Sequence, residues 1–357
     1  MADAAGSVPV SVVVPCRNVA GLLRRSLESV FAALPEGSEV IAVDDGSTDS
    51  TLETLMEWAA SHPALRVVRQ PHGGVSSARN RALDLCTRDF VFFVDPDDAV
   101  EPDYFDAMTS AMLRDGADYC LAGFFIHDAK GRVREWLPRE EYSLSSNDEI
   151  RRLYLPRIFG YSFDDVRAWY RGAPLFARRE LAQVWRAAFR RDVIERFRIR
   201  FDETMELNED ALFNAEYLLH ANSMTTMRRA LYHSYERGDG AMRSIRADAE
   251  RLCRAKLAQH LAKRRVDDAN GGALYPLYAG SCVLSALDTL SLAARFRLSL
   301  RKCLSALREY FSDDVARRAL AEFPLSWRRP FVASAALLLR ALYGRCARPC
   351  GMGSPRD

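Results

Sequence analysis

Two apolar patterns alternate through the first hundred residues, and that alternation restricts the fold more than any other feature of the chain. Val10-Ser11-Val12-Val13-Val14-Pro15 and Val40-Ile41-Ala42-Val43 are β-branched runs with the continuous character of strands buried on both faces. Between them Leu22, Leu23, Leu27, Val30 and Phe31 recur at helical spacing. The pattern continues with a helix near Ser50 to Ala60, a short strand Leu65 to Val68, a helix near Val75 to Cys86 and the apolar run Phe90 to Val94. Strand and helix alternating through short connections predicts an α/β fold, a doubly wound, mostly parallel sheet flanked by helices. Such sheets bind ligands beyond the carboxyl ends of their strands. Three polar clusters fall there: Pro15 to Asn18, Asp44 to Asp49 and Asp95 to Asp98.

The third cluster, Asp95-Pro96-Asp97-Asp98, puts three carboxylates within four residues at a strand end. Clustered hard oxygens suit a divalent cation that also carries phosphates. The second cluster is both a turn and the start of a helix, with Asp49 the better cap and Asp45 left free. Farther on, Glu209-Asp210 opens a helix running through Leu212, Ala215, Leu218 and Leu219. Acidic residues there complement the helix dipole, which should also keep Asp210 ionised. Trp185 to Phe197 reads as a helix and Met224 to Tyr235 as a strand entering the loop Glu236 to Gly240.

In order and spacing, five segments resemble the nucleotide-sugar-dependent glycosyltransferases of family 2. They are Val-Pro-Cys-Arg-Asn at 14–18, Val-Asp-Asp-Gly-Ser-Thr-Asp at 43–49, Gly-Gly-Val-Ser-Ser-Ala-Arg-Asn at 73–80, Val-Asp-Pro-Asp-Asp at 94–98 and Leu-Asn-Glu-Asp-Ala-Leu-Phe-Asn at 207–214. The resemblance spans roughly residues 8–240 and implies the Rossmann-like GT-A fold. It implies a nucleotide-binding half at 8–123 and an acceptor and catalytic half at 124–240; the residue pattern from Asp248 onward is helical and predicts a helical C-terminal region at 248–345, which carries no signature of that family. It also implies an inverting transfer from a nucleotide-sugar donor to a saccharide or lipid-linked acceptor, in surface-polysaccharide or glycoconjugate synthesis.

Residue by residue, the resemblance puts the donor on Pro15, Arg17, Asn18, Asp45, Arg79, Asp95 and Arg237. Asp45 would accept the imide hydrogen of a uracil. Arg17 stands where many relatives have Tyr, and its guanidinium plane can stack on a base in that residue's stead. Asp97 and Asp95 would hold a divalent metal, Mg²⁺ or Mn²⁺, with His233 either a further ligand or a diphosphate contact. Arg237 would clamp phosphate when its glycine-containing loop closes. Asp210 would act as general base with Glu209 orienting it. Asp98 either backs these ligands or caps the turn that follows.

Composition sets outer bounds. The chain has 357 residues, 48% hydrophobic and 27% charged, with a formal net charge of +2, which argues against a nucleic-acid binder. Charge is uneven: from Ser291 onward thirteen Lys/Arg face five Asp/Glu, a net +8 that leaves −6 for the remainder. Apolar helical stretches such as Phe331 to Leu342, flanked by Trp327, Arg328, Arg329, Arg340 and Arg345, suit either a helix lying on an anionic membrane or a packed helical cap. The eight cysteines show no paired spacing, so reduced thiols are expected. The opening residues lack a basic or leading apolar stretch, and the longest apolar run, Phe331 to Leu339, falls short of the ~20 residues of a membrane span. A cytoplasmic site of action, peripheral on the inner membrane face if the tail binds lipid, is the expectation. The aromatics between Trp136 and Tyr170 suit sugar binding or a packed layer over the sheet. Two rival functions remain. A nucleotidyltransferase would want a Gly-rich loop with a catalytic Lys or Arg after the first strand, which Asn18-Val19-Ala20-Gly21 does not supply; a silent nucleotide-sugar-binding module would have lost Asp97 or Asp210, and both are present.

Overall fold

The computed structural model describes residues 7–175, 179–236, 249–295, 300–326 and 328–343. They fall into two compact units, one drawn from Met1–Phe159 and Arg179–Arg243, the other from Gly160–Arg178 and Ser244–Asp357. The segment Gly160–Arg178, placed by the sequence in the catalytic half, is thus grouped with the C-terminal helices.

The first unit is built on one sheet. Its N-terminal part is β1 (Val10–Cys16), α1 (Ala20–Ala33), β2 (Glu39–Asp45), α2 (Thr51–Ser61), β3 (Leu65–Gln70), α3 (Val75–Leu83) and β4 (Phe90–Phe93). The strands lie in the order β3-β2-β1-β4, all parallel. All of β1 and β4 is buried, as helices on both faces require of β-branched and aromatic runs. Alternate residues of β4 serve opposite layers. Phe92 meets Tyr104 and Phe105 edge-on, while Phe93 meets Phe189, Phe201 and Phe213. On α1, Leu23, Leu27 and Val30 make the buried stripe, and Phe31 stacks on Trp58 of α2. The chain winds outward from β1 to β3, then returns to the other side of β1 as β4. The crevice of a doubly wound sheet opens where the winding reverses, which here is between β1 and β4.

Beyond β4 the sheet becomes mixed. It continues with β9 (Ala187–Arg190), β6 (Tyr119–His127), β10 (Met224–Tyr235) and β5 (Ala99–Val100), while β7 (Val133–Trp136) pairs β6 and β8 (Ser143–Leu144) pairs β10. The helix expected over Trp185 to Phe197 is corrected here: a 3₁₀ turn occupies Val184–Arg186, Ala187–Arg190 is a strand, and the helix is Arg191–Phe197. β9 lies antiparallel to both β4 and β6, and Ala187, Ala188 and Phe189 are wholly buried. Pairing on both edges overrides the helical preference of an Ala-rich segment.

The second unit is helical, containing Phe163–Tyr170, Ala249–Ala269, Tyr275–Arg295, Leu300–Tyr310, Asp314–Glu322 and Pro330–Tyr343. Gly280 lets the backbone at Tyr161 and Ser162 come close, since a Cβ there would sit 2.8 and 2.7 Å from their carbonyl oxygens. The aromatics between Trp136 and Tyr170 mostly pack: Tyr154, Phe159 and Tyr170 are buried, and Phe163 meets Phe323. Among the described residues no helix is long and apolar enough to cross a membrane.

Candidate active site

The loops after β1 and β2 are latched together. Asn18, in the left-handed region at φ 50°, accepts the Thr48 N–H at 2.8 Å and donates its own N–H to Ser47 Oγ. Asp49 accepts from the Thr51 hydroxyl and N–H through one oxygen and from the Ala20 N–H through the other, so one carboxylate serves the starts of α1 and α2.

Asp45, at the end of β2, is buried and fully subscribed. Its two oxygens accept Gln70 Nε2 and Gly73 N–H at 2.8 Å each, His72 Nδ1 at 2.8 Å and Gly74 N–H at 2.9 Å. A carboxylate offers about four lone-pair sites, and these partners take all of them. Burial pushes its pKa up, but the bonds from Gly73, Gln70, His72 and Gly74 outweigh that and hold it below the ordinary value. Asp45 therefore pins the loop leading into α3. The neighbouring Asp44 is different. It is wholly buried; Oδ1 accepts the Ser47 N–H at 3.3 Å, and Oδ2 has no hydrogen-bond partner among the described residues, the exposed Arg69 lying 3.9 Å away. Strand alternation gives the two successive aspartates opposite directions, so Asp44 and Asp45 face different surroundings.

The acidic turn is held from two sides. Tyr232 of β10 accepts the Asp95 N–H and donates to Asp98 Oδ2, both at 3.0 Å, while Asp98 Oδ1 accepts the Tyr235 N–H at 2.9 Å. Asp98 is thus a buried clip between turn and strand. On the other side Arg25 of α1 donates to the Asp97 carbonyl at 2.5 Å while lying 3.6 Å over the Tyr235 ring. Asp97 is half-buried and Asp95 keeps 27% side-chain exposure. The buried Cys16 thiol at the end of β1 reports how close the clusters are: after burial, Asp44, Asp95 and Asp97 are what push its pKa up.

Arg79 on α3 joins the turn to the distant acidic pair. Its guanidinium, 4% exposed, donates to Asp210 Oδ1 at 2.6 Å, to Glu209 Oε1 at 3.4 Å and to Asp95 Oδ1 at 3.0 Å. Nε is buried without a partner among the described residues. Burial disfavours the cation, yet Asp210, Asp95 and Glu209 together hold it firmly charged. Glu209 and Asp210 open the helix Glu209–His220 behind Asn208, whose side chain forms no cap; Asp210 Oδ2 instead accepts the Val184 N–H at 3.3 Å. The expected lowering of the Asp210 pKa by the helix terminus is corrected: burial, against Arg79 and with Glu209, pushes it up to about 6. Asp95 is pushed up to about 6 as well, by burial first and then by Asp210 and Asp97 against Arg79.

Of the other expected residues, Pro15 is buried within β1 and Arg17 is exposed just beyond it. Arg237 lies outside the described residues. His233 directs Nε2 to Glu101 at 2.8 Å and Nδ1 to His127 at 2.9 Å, with Phe125 stacked on its face. Among the described residues no group of three or more His, Cys, Asp or Glu side chains is arranged to hold a metal ion. Arg25 and Tyr232, which hold the acidic turn, carry no sequence signal beyond their elements.

Known proteins resemble this arrangement. Residues 11–171 match the model of glycosyl transferase family 2. The uncharacterized glycosyltransferase EpsJ of Bacillus subtilis is 26% identical over 223 residues, 62% of this chain and 60% of its own length. The uncharacterized glycosyltransferase YibD of Escherichia coli is 27% identical over 226 residues, 63% and 61% of the two chains. The chain thus spans about 60% of the length of these curated relatives. The crystal structure of S. aureus TarS 1-349 in complex with UDP-GlcNAc has the same fold, with a TM-score of 0.59 and 20% identity over 94% of this chain and 89% of that one. The stretch that matches the glycosyl transferase family 2 model begins at Ser11 in β1 and contains the Asp44, Arg79 and Asp95 clusters, so it is this part of the chain that is similar to that family.

Proposed function

We propose that the chain is an inverting glycosyltransferase. It moves a hexosyl or N-acetylhexosaminyl group from a uridine diphosphate sugar to a hydroxyl of a saccharide or lipid-linked acceptor, for a surface polysaccharide or related glycoconjugate. It works in the cytoplasm, where such donors are made. The observation that carries this reading is the convergence on Arg79 of Asp95, from the strand-end turn, with Glu209 and Asp210. Displacement at an anomeric carbon needs a diphosphate site and a base on opposite sides of one sugar, and so needs both acidic sets in one place. The relatives named as glycosyltransferases and the UDP-GlcNAc held by TarS support it.

The base grip falls to the Asp44–Asp45 end of β2. Asp45 shapes the loop and Asp44 Oδ2 is the oxygen left to accept an imide N–H, while Arg17 is exposed beside it to stack on the ring. Asn18 keeps the two loops in register. Asp210, ionised above about pH 6, takes the proton of the acceptor hydroxyl as the new bond forms. Glu209 shares its Arg79 contact and fixes its direction. Arg237 is assigned to the diphosphate.

Mg²⁺ or Mn²⁺ fits the residues present: Asp97 and Asp95 Oδ2, which Arg79 leaves, offer hard oxygens, and such ions are held by one or two carboxylates plus substrate phosphates rather than by a complete protein cage. His233, turned to Glu101 and His127, is not needed. When bound, the ion supplies positive charge against the departing diphosphate.

Incubating the purified chain with uridine, guanosine and cytidine diphosphate sugars, with Mg²⁺ or Mn²⁺, tests the reading. Uridine donors should raise the melting temperature and release uridine diphosphate on adding acceptor. Equal protection by all three bases would overturn the base assignment. Protection without turnover across donors and acceptors would mark a silent binding module.

A further inference from the structure

In the second unit, the helix Pro330–Tyr343 carries an apolar face that none of the unit's described residues covers, and we propose that it docks the protein on an anionic membrane surface. One side of the helix is buried at Ala333, Ala336 and Leu339. On the other, Phe331, Leu337, Leu338 and Leu342 are 63%, 40%, 54% and 51% exposed. Of the eleven large hydrophobic residues exposed among those described, these four and Leu325 lie within positions 325–342. Singly scattered apolar side chains are ordinary on a protein surface, whereas a row along one helix is not. Arg340 fixes the presentation, since its guanidinium is spent on the carbonyl oxygens of Leu320, Ala321 and Phe323.

Length and charge choose the partner. Fourteen residues make a helix of about 21 Å, short of the ~30 Å hydrocarbon core, so the helix lies in the interface plane with its apolar side down. From Phe323 to Arg356 the sequence holds six arginines and no acidic residue. Arg328 and Arg329 are exposed at the start of the helix, and Arg329 also lies 4.5 Å over the Trp169 ring. A second copy using the same face would bring arginines against arginines. Nucleic acid would use the arginines and leave four large apolar side chains unmet. A bilayer with anionic headgroups satisfies both sets at once.

Flotation of the full-length protein with vesicles tests this, and the result does not depend on glycosyl transfer. Binding is expected to phosphatidylcholine vesicles containing phosphatidylglycerol, weakening as sodium chloride rises, with little to phosphatidylcholine alone. Leu338→Glu with Leu342→Glu should abolish binding at every salt concentration while leaving the melting temperature unchanged, because both residues are exposed. Arg328→Ala and Arg329→Ala should each weaken binding by roughly fivefold. Wild-type protein that ignores anionic vesicles overturns the proposal. So does a glutamate pair that binds vesicles like wild type, or one that lowers the mass in light scattering, which would make the face a contact between copies.

Discussion

Arg79 and Asp210 lie 131 positions apart in sequence and meet at 2.6 Å, with the same guanidinium reaching Asp95. A buried cation between three carboxylates is a structural tie as well as a local source of field. Arg79→Ala would leave the three anions close together and uncompensated. It should cost about 3–5 kcal/mol of stability, the range for breaking a buried pair by removing one partner. Urea unfolding would measure it. A loss below 1 kcal/mol would mean that Asp95 and Asp210 hold their places without the tie.

Asp210→Asn keeps the shape and removes the basic oxygen. Turnover should fall by a factor of order 10² or more while donor affinity holds. Single-turnover kinetics beside donor titration separate the two. Weakened donor binding with normal turnover of the bound donor would make Asp210 a binding group.

The pH dependence follows from the raised carboxylates. Asp210 and Asp95, each pushed up to about 6, titrate together in the ligand-free protein. A folded-state pKa above the unfolded one makes the fold bind more protons in between, so stability should decline as pH rises from about 4 to about 6. With Asp210 in the proposed role of base, activity should rise over the same interval. Denaturant midpoints and kcat/KM measured across it should therefore move in opposite directions.

Asp97→Ala should abolish metal-dependent transfer and leave the melting temperature within a degree or two, since Asp97 is half-buried at a strand end rather than in the core. Full activity of this variant, or of the wild type in excess chelator, would remove Asp97 from its assigned role.

The adjacent aspartates should separate cleanly. Asp45→Ala strips four hydrogen bonds from the loop before α3 and should cost roughly 2–4 kcal/mol. Asp44→Asn should leave stability nearly unchanged but weaken uridine diphosphate binding about tenfold or more. Calorimetry on both variants would check the division. The reverse pattern would return the base grip to Asp45.

Much of this was legible in the sequence because buried parallel strands have an unambiguous composition. β1, β2 and β4 stand out as apolar runs, and the polar clusters that end them are the loops of the candidate site. Met224–Tyr235 was also readable at its full length. β9 was not, because four residues with two alanines look helical until partners on both edges are known. Nor was the different hydrogen bonding of Asp44 and Asp45, which rests on where Gln70, His72, Gly73 and Gly74 come to lie. The raised Asp210 pKa escaped for a similar reason. A helix start is visible in sequence, whereas desolvation by elements from elsewhere in the chain is not.

The position of β9 bears on how the molecule is made. Both edges it covers belong to strands complete before residue 128, yet β9 itself ends at Arg190. While the chain is being synthesised, β4 and β6 therefore wait, each with an open edge, for a strand emerging some sixty residues behind β6. A fragment stopped after β6 would carry the loops after β1, β2 and β4 and would lack the strand that keeps its newest edges from pairing with another molecule. The first 128 residues are thus a stretch of sequence rather than a body that can be lifted out, and a truncation there is expected to aggregate because of the order of the strands.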